Sequence, residues 1–327
     1  MDIIHVENLV KIYKGGIRAV DSINLNIKKG EIYGFLGPNG AGKTTTVKML
    51  TTMIKPTSGN AIINGLDVIK DQAKVRKMIG LVPQDLSVDD DLKGIENLEL
   101  QASFYGIPKD DARERANELL KLVDLYEAKD RYVSTYSGGM RKRLDLITGL
   151  IHNPEILFLD EPTLGLDVQT RAKMWDYISK LRKEYGITIF LTTHYLEEAD
   201  SLCDRIGIID HGKIVVEGSP SELKAKVGFD VVDIVVDNPE LFKNILNDVS
   251  DISMMDNKTI RFKVPESEVY LPKLFQKIYE NRLKIQRIRV EKPSLDSVFI
   301  KYTGKEMREH ESEEEIMRTM RAIRRAR

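Results

Sequence analysis

The sequence predicts an α/β fold over its first two thirds, followed by a smaller α+β unit and a charged helical tail. Three observations predict it. Short apolar runs alternate with helical stretches up to about residue 220, which implies a mostly parallel sheet covered on both faces. A glycine-rich loop, Gly37-Pro-Asn-Gly-Ala-Gly-Lys-Thr44, joins one of these runs to a helix. Beyond Gly228 the order becomes β-α-β-β-α-β, the split βαβ arrangement of ferredoxin-like domains.

Taken in order, Val6, Asn8, Val10 and Ile12 alternate roughly, as in an antiparallel strand. Residues 32–36 form a buried strand and 44–53 the helix after the glycine loop. Residues 77–82 read as a second strand. Two helical patterns fill 94–125, the second (109–125) with Ala112, Ala116, Leu119, Leu120 and Val123 at helical spacing. Strands at 155–159 and 187–191 flank a helix at 169–185. Residues 206–210 and 213–217 surround His211-Gly212, a hairpin with a short turn. A helix at 221–227 leads to the second unit: strand 230–236, helix 239–246, strands 252–255 and 259–264 joined through Asp256-Asn257, helix 266–281, strand 283–290 and a final helix 294–302. In the tail, acidic Glu309 to Glu315 precede basic Arg318 to Arg327, and Ile316, Met320 and Ile323 share a helical face. A solvated terminal helix and a docking helix both fit that pattern.

Composition bounds the function. Fifty Lys and Arg against 51 Asp and Glu leave a net charge of −1, without the basic excess of a general nucleic-acid binder. A single cysteine, Cys203, excludes an internal disulfide and a Cys-based zinc site and reads as a small core residue. A reducing cytosolic setting follows. No run approaches the roughly 20 apolar residues of a membrane helix, and the N-terminus lacks a signal-peptide pattern.

The loop at 37–44 carries the chemistry. Its glycines allow backbone N–H groups to turn inward as an anion nest, and the next helix directs its positive end at phosphate. Lys43 supplies a cation for the β- and γ-phosphates and Thr44 a hydroxyl for Mg²⁺. The apolar run 156–159 ends in Asp160, where a Mg²⁺-water ligand belongs. Glu161 follows, placed for a general base or a water-polarising group.

Between these motifs stands Tyr136-Ser-Gly-Gly-Met140. With the phosphate loop it resembles the nucleotide-binding subunit of ATP-binding cassette (ABC) transporters, a P-loop NTPase with a helical subdomain. Gln84 in Leu81-Val-Pro-Gln-Asp85 resembles the Q-loop, Leu164-Gly-Leu-Asp167 the D-loop, and His194 in Thr192-Thr-His-Tyr195 the switch histidine. Tyr13 sits where the family stacks an aromatic on adenine. Tyr136 and Met140 depart from the commoner Leu-Ser-Gly-Gly-Gln wording. That departure, and Pro293-Ser-Leu-Asp-Ser-Val-Phe-Ile300, resemble drug-resistance ATPases of the daunorubicin-exporter type.

The resemblance implies an ATP-binding domain over 1–220, with a helical subdomain at about 85–150, an accessory domain over 229–303 and the tail at 304–327. It implies an ATPase with ATP and Mg²⁺ as cofactors. The ATP site comprises Tyr13, Gly37, Pro38, Asn39, Gly40, Ala41, Gly42, Lys43, Thr44, Thr45, Gln84, Ser137, Gly138, Gly139 and Asp167. Thr44, Gln84 and, through water, Asp160 hold Mg²⁺; Glu161, His194 and Lys43 act in catalysis; Asp167 links two sites. ATP lies between two head-to-tail copies, so a homodimer forms on ATP binding. Separately encoded permease subunits of ABC-2 type carry the cargo, and the chain is cytoplasmic, peripheral at the inner face of the cell membrane. Leu100, Phe104 and Tyr105 are either groove residues for a membrane subunit's coupling helix or packing within the subdomain. A rival is a non-transport cassette ATPase acting on a ribosome or nucleic acid. Such proteins usually carry two cassettes, long coiled coils or zinc modules, and this chain has one phosphate loop, no heptad run and one Cys. A P-loop kinase or GTPase fits less well, since the guanine-reading Asn-Lys-x-Asp motif is missing.

Overall fold

A computed structural model describes residues 2–246, 249 and 251–305. The expected charged tail falls almost wholly outside the described residues. The chain divides into two compact units between Pro220 and Ser221.

In the first unit, β1 (Asp2–Ile12) and β2 (Arg18–Lys28) form a long antiparallel pair. β3 (Ile32–Leu36) then runs into the glycine loop and α1 (Lys43–Leu50). β4 (Ser58–Ile63) and β5 (Leu66–Asp67) complete a four-stranded antiparallel sheet, order β2-β1-β4-β5. α2 (Gln72–Met78) leads to β6 (Ile79–Val82). α3 (Gly94–Phe104), α4 (Lys109–Leu122) and α5 (Gly138–Thr148) precede β7 (Ile156–Asp160). α6 (Val168–Tyr185), β8 (Thr188–Thr193), α7 (Leu196–Leu202) and the hairpin β9 (Arg205–Asp210) and β10 (Lys213–Gly218) follow, and α8 (Pro220–Val227) then opens the second unit.

The second sheet has the order β10-β9-β3-β8-β7-β6, parallel throughout except for β10. β3, β7 and β8 are buried at every residue, as strands covered on both faces are. Phe190 anchors this core, its ring within 5.7 Å of the Tyr33, Phe35 and Phe158 centroids. Cys203 is buried, as expected of a core thiol. The carboxyl ends of β3, β7 and β8 lie side by side, where ligands bind in open α/β sheets.

One expectation needs correction. The strand placed at 77–82 begins at Ile79, because Lys77 and Met78 close α2. That helix is short and buries only Val75, too little to stand out as periodicity. The early antiparallel strand belongs to a sheet of its own beside the mostly parallel one. β2 hides its pattern by alternating buried Val20, Ile23, Leu25 and Ile27 with polar residues.

Close approach of β6 to the end of α5 requires glycine. A Cβ on Gly80 would lie 2.1 Å from the Gly149 carbonyl oxygen. Gly80→Ala is expected to cost about 2–3 kcal/mol and to lower the melting temperature of this unit by about 5 °C or more. A thermal scan in which the variant melts with the wild type contradicts this packing.

After α8 the second unit continues with β11 (Asp230–Val236), α9 (Pro239–Ile245), β12 (Ser253–Met254), β13 (Thr259–Val264), α10 (Ser267–Glu280), β14 (Ile285–Glu291) and α11 (Leu295–Thr303). Its antiparallel sheet has the order β12-β13-β11-β14, the ferredoxin-like topology. β11 alternates strictly, turning Val232, Ile234 and Val236 into a core with Phe242, Phe262, Leu274 and Ile278. The β12–β13 turn is made by Asp256, whose Oδ1 accepts from the Lys258 and Thr259 amides at 2.8 and 2.7 Å.

Candidate active site

A cavity of about 890 Å³ opens at the carboxyl ends of the parallel strands. The glycine loop, Gln84, Glu161, Asp167 and His194 line it. α1 starts there from Gly42, held at φ 112°, a left-handed value suited to glycine. No side chain caps that helix end, so its first amides lack intrahelical acceptors and suit an anion. Pro38, Asn39, Gly40, Gly42, Lys43, Thr44 and Thr45 line the cavity, while Gly37 and Ala41 are buried behind it.

Lys43 is 4% exposed. Its Nζ donates to the Gly37 and Pro38 carbonyls at 2.7 and 3.2 Å and pairs with Glu161 Oε1 at 3.2 Å. Burial pulls the ammonium below its ordinary value, against the opposing pull of Glu161 and Asp160. Burial likewise pushes Glu161 up, but a hydrogen bond with His194 and the Lys43 charge outweigh it and hold the carboxyl below its ordinary value. His194 Nδ1 lies 3.1 Å from Glu161 Oε2. Glu161 thus sits between two groups that can each turn to phosphate.

Asp160 ends β7 with Oδ1 accepting from Thr44 at 3.3 Å and Thr192 at 2.5 Å. Burial raises its carboxyl above the ordinary range despite these donors. Among the described residues no cluster of three His, Cys, Asp or Glu could hold a metal. One carboxylate beside a hydroxyl and an anion nest suits Mg²⁺, which binds through few carboxylates plus substrate phosphates.

Asp167 caps α6, accepting from the Gln169 and Thr170 amides at 3.1 and 3.0 Å and from the Thr170 hydroxyl at 2.6 Å. Tyr13 does not line the cavity; its Oη lies 3.4 Å from Thr45 Oγ1. Nor do Ser137, Gly138 and Gly139. Ser137 caps α5 by accepting from the Met140 amide, and both Ser137 and Gly138 are exposed. Nothing lies within 4 Å of a Cβ built on Gly138. The Tyr136 substitution is structural, since its buried hydroxyl donates to the Ala128 carbonyl at 2.7 Å. Leu100 and Phe104 are 43% and 73% exposed, whereas Tyr105 stacks on His152 at 3.7 Å between centroids.

Sequence reasoning missed Thr192, although a polar residue inside an apolar strand is a visible signal. Its hydroxyl serves Asp160, and its hydroxyl and carbonyl oxygens both accept from the Glu161 amide at 3.1 Å. Arg171 and Tyr195 also line the cavity, the guanidinium 3.9 Å from the Tyr195 ring centroid. Nothing local in the sequence marks that pair.

A strand, a glycine loop and an uncapped helix, beside a strand ending in two carboxylates, define a P-loop nucleoside triphosphatase. Residues 20–164 match the ABC transporter family, and residues 218–303 match the C-terminal domain of DrrA1-3-like ATP-binding proteins. The doxorubicin resistance ATP-binding protein DrrA of Mycobacterium tuberculosis is 42% identical over 91% of this chain and 92% of its own length. The daunorubicin/doxorubicin resistance ATP-binding protein DrrA of Streptomyces peucetius is 38% identical over 95% of each chain. A dimeric post-hydrolysis structure of the ATP-binding cassette MJ0796 with ADP and Pi matches with TM-score 0.61 and 31% identity, covering 66% of this chain and 98% of that one. The chain belongs to the DrrA-like ATP-binding proteins of the ABC transporter family, and it is an ATPase. Among the described residues no helix is long and apolar enough to cross a membrane.

Proposed function

We propose that two copies of this chain close on Mg·ATP and that hydrolysis between them drives export of a drug, lipid or other small molecule through a separate membrane permease. The chain then works at the cytoplasmic face of the membrane, without nucleic acid. The observation that supports pairing is the exclusion of Ser137–Gly139 from the cavity. ATP's phosphates need donors on every side, and one copy leaves its exposed Ser137 and Gly138 free to supply the other's open side.

In this reading the loop amides and Lys43 hold the β- and γ-phosphates, Tyr13 stacks on adenine, and Asp167 meets the facing copy. Thr44, Gln84 and, through water, Asp160 hold Mg²⁺, which when bound neutralises charge on the phosphate oxygens. Glu161 accepts a proton from the attacking water. His194 releases Glu161 and donates to the γ-phosphate as negative charge develops. Tight positioning and electrostatics do most of the work.

Light scattering of a Glu161→Gln chain tests the pairing. The mass is expected to double with Mg·ATP and not with Mg·ADP. Gly138→Arg in that background is expected to block pairing while each copy still binds nucleotide. A single copy at saturating Mg·ATP, with and without the permease, refutes the reading.

A further inference from the structure

Behind the cavity lies a carboxylate that the mechanism above does not use. Glu198 on α7 is fully buried. Its Oε1 accepts from Thr163 Oγ1 at 2.8 Å and from Trp175 Nε1 at 2.9 Å, and the Thr193 side chain also favours its charged form. A fully buried carboxylate outside the catalytic cluster is costly to keep and calls for a reason. Thr163, Trp175 and Glu198 come from three segments. Thr163 lies two residues beyond Glu161, Trp175 is on the helix that Asp167 caps, and Glu198 is on the helix that follows His194.

Glu161 supplies an independent observation. Its φ is +52°, a left-handed conformation in a residue with a full side chain. Such strain persists only where the surroundings over-determine it. On one side Thr192 holds the Glu161 amide. On the other, Leu164 N donates to Glu161 O at 3.2 Å and Leu166 N to Thr163 O at 3.1 Å, closing a turn. Thr163 is fully buried, and its hydroxyl ties that turn to Glu198.

We propose that Glu198 is a positioning residue for hydrolysis: it pins the 161–167 turn and α6 to α7, and so holds the Glu161 carboxylate in reach of His194. The inference rests on the reading that Glu161 acts on the attacking water. It adds that the geometry of Glu161 is set from a fully buried side chain on α7.

The test is steady-state ATP hydrolysis and fluorescent-nucleotide binding by the full chain, together with tryptophan emission. The chain has one Trp, so emission reports this cluster directly. Thr163→Val, which removes only a hydroxyl, is expected to lower kcat about tenfold with KM for ATP within about twofold. Glu198→Ala is expected to lower kcat by about 30-fold or more and to shift the Trp175 emission, because the indole N–H loses its acceptor. Glu198→Gln keeps an acceptor for both donors and is expected to recover about fivefold or more over Glu198→Ala. If Glu198→Ala does not fold, Thr163→Val decides alone. Thr163→Val with wild-type kcat overturns the proposal, as does a fall in kcat matched by an equal fall in nucleotide affinity. Wild-type hydrolysis by Glu161→Gln instead refutes the role of Glu161 itself, so the two failures are distinct.

Discussion

Glu161→Gln is expected to lower ATP hydrolysis by about 100-fold or more, in the range that a lost general base costs, while nucleotide binding is kept. Glutamine preserves the shape of a buried side chain and an acceptor for His194, but it cannot take a proton from water. Binding survives because the loop amides and Lys43 are unchanged, and it tightens if anything, since Lys43 loses a carboxylate 3.2 Å away that competes with phosphate. In the free chain Glu161 is held below its ordinary value by His194 and Lys43. On the proposed reading both turn to phosphate, which takes away the two partners that hold the carboxyl down and leaves the opposing influence of burial. Single-turnover rates and nucleotide titrations on the same preparation check both halves. Equal rates for variant and wild type refute the role.

Lys43→Ala is expected to abolish measurable ATP binding and also to destabilise the nucleotide-free chain, by about 3 kcal/mol. The second effect follows from burial. With Lys43 gone, the Glu161 carboxylate, 6% exposed, faces His194 without its ammonium partner. That cost corresponds to a melting temperature lower by roughly 6–12 °C for a unit of this size. Adding Glu161→Gln removes the stranded charge, so the double variant is expected to regain most of the stability and none of the binding. The pH dependence has a definite sign. Glu161 is depressed in the folded chain, so its ion pair stabilises fully above its ordinary value of 4.5 and is lost as pH falls through the lower folded value. The gap between Lys43→Ala and wild type is therefore expected to close in acid. A gap independent of pH, or a double variant as unstable as the single one, contradicts the pairing.

The family assignment favours transport over the ribosome or nucleic-acid alternative that the sequence alone left standing. Phe104 is largely exposed and Leu100 partly so, whereas Tyr105 is committed to His152.

Much of the site was legible because it is built from contiguous chain. The anion nest is a local property of residues 37–44, and β3, β7 and β8 announce themselves through short apolar runs such as 156–159 and 189–191. The second unit was legible for a similar reason, since the apolar-rich strand 230–236 and the Asp256-Asn257 turn are short-range signals. β2 and α2 were not, because their buried residues are diluted by polar neighbours and take meaning only from the partners they meet.

From the sequence alone came the loop that can cradle phosphate, the order of the motifs and the two kinds of domain, all consequences of local backbone chemistry and periodicity. Only the tertiary structure decided that Lys43, Glu161 and His194 share one buried cluster, that Thr44 meets Asp160 across 116 residues of chain, and that Ser137–Gly139 stay outside the cavity. The reason is physical: burial and through-space charge depend on which strand ends the sheet brings together, and no short stretch of chain contains that information.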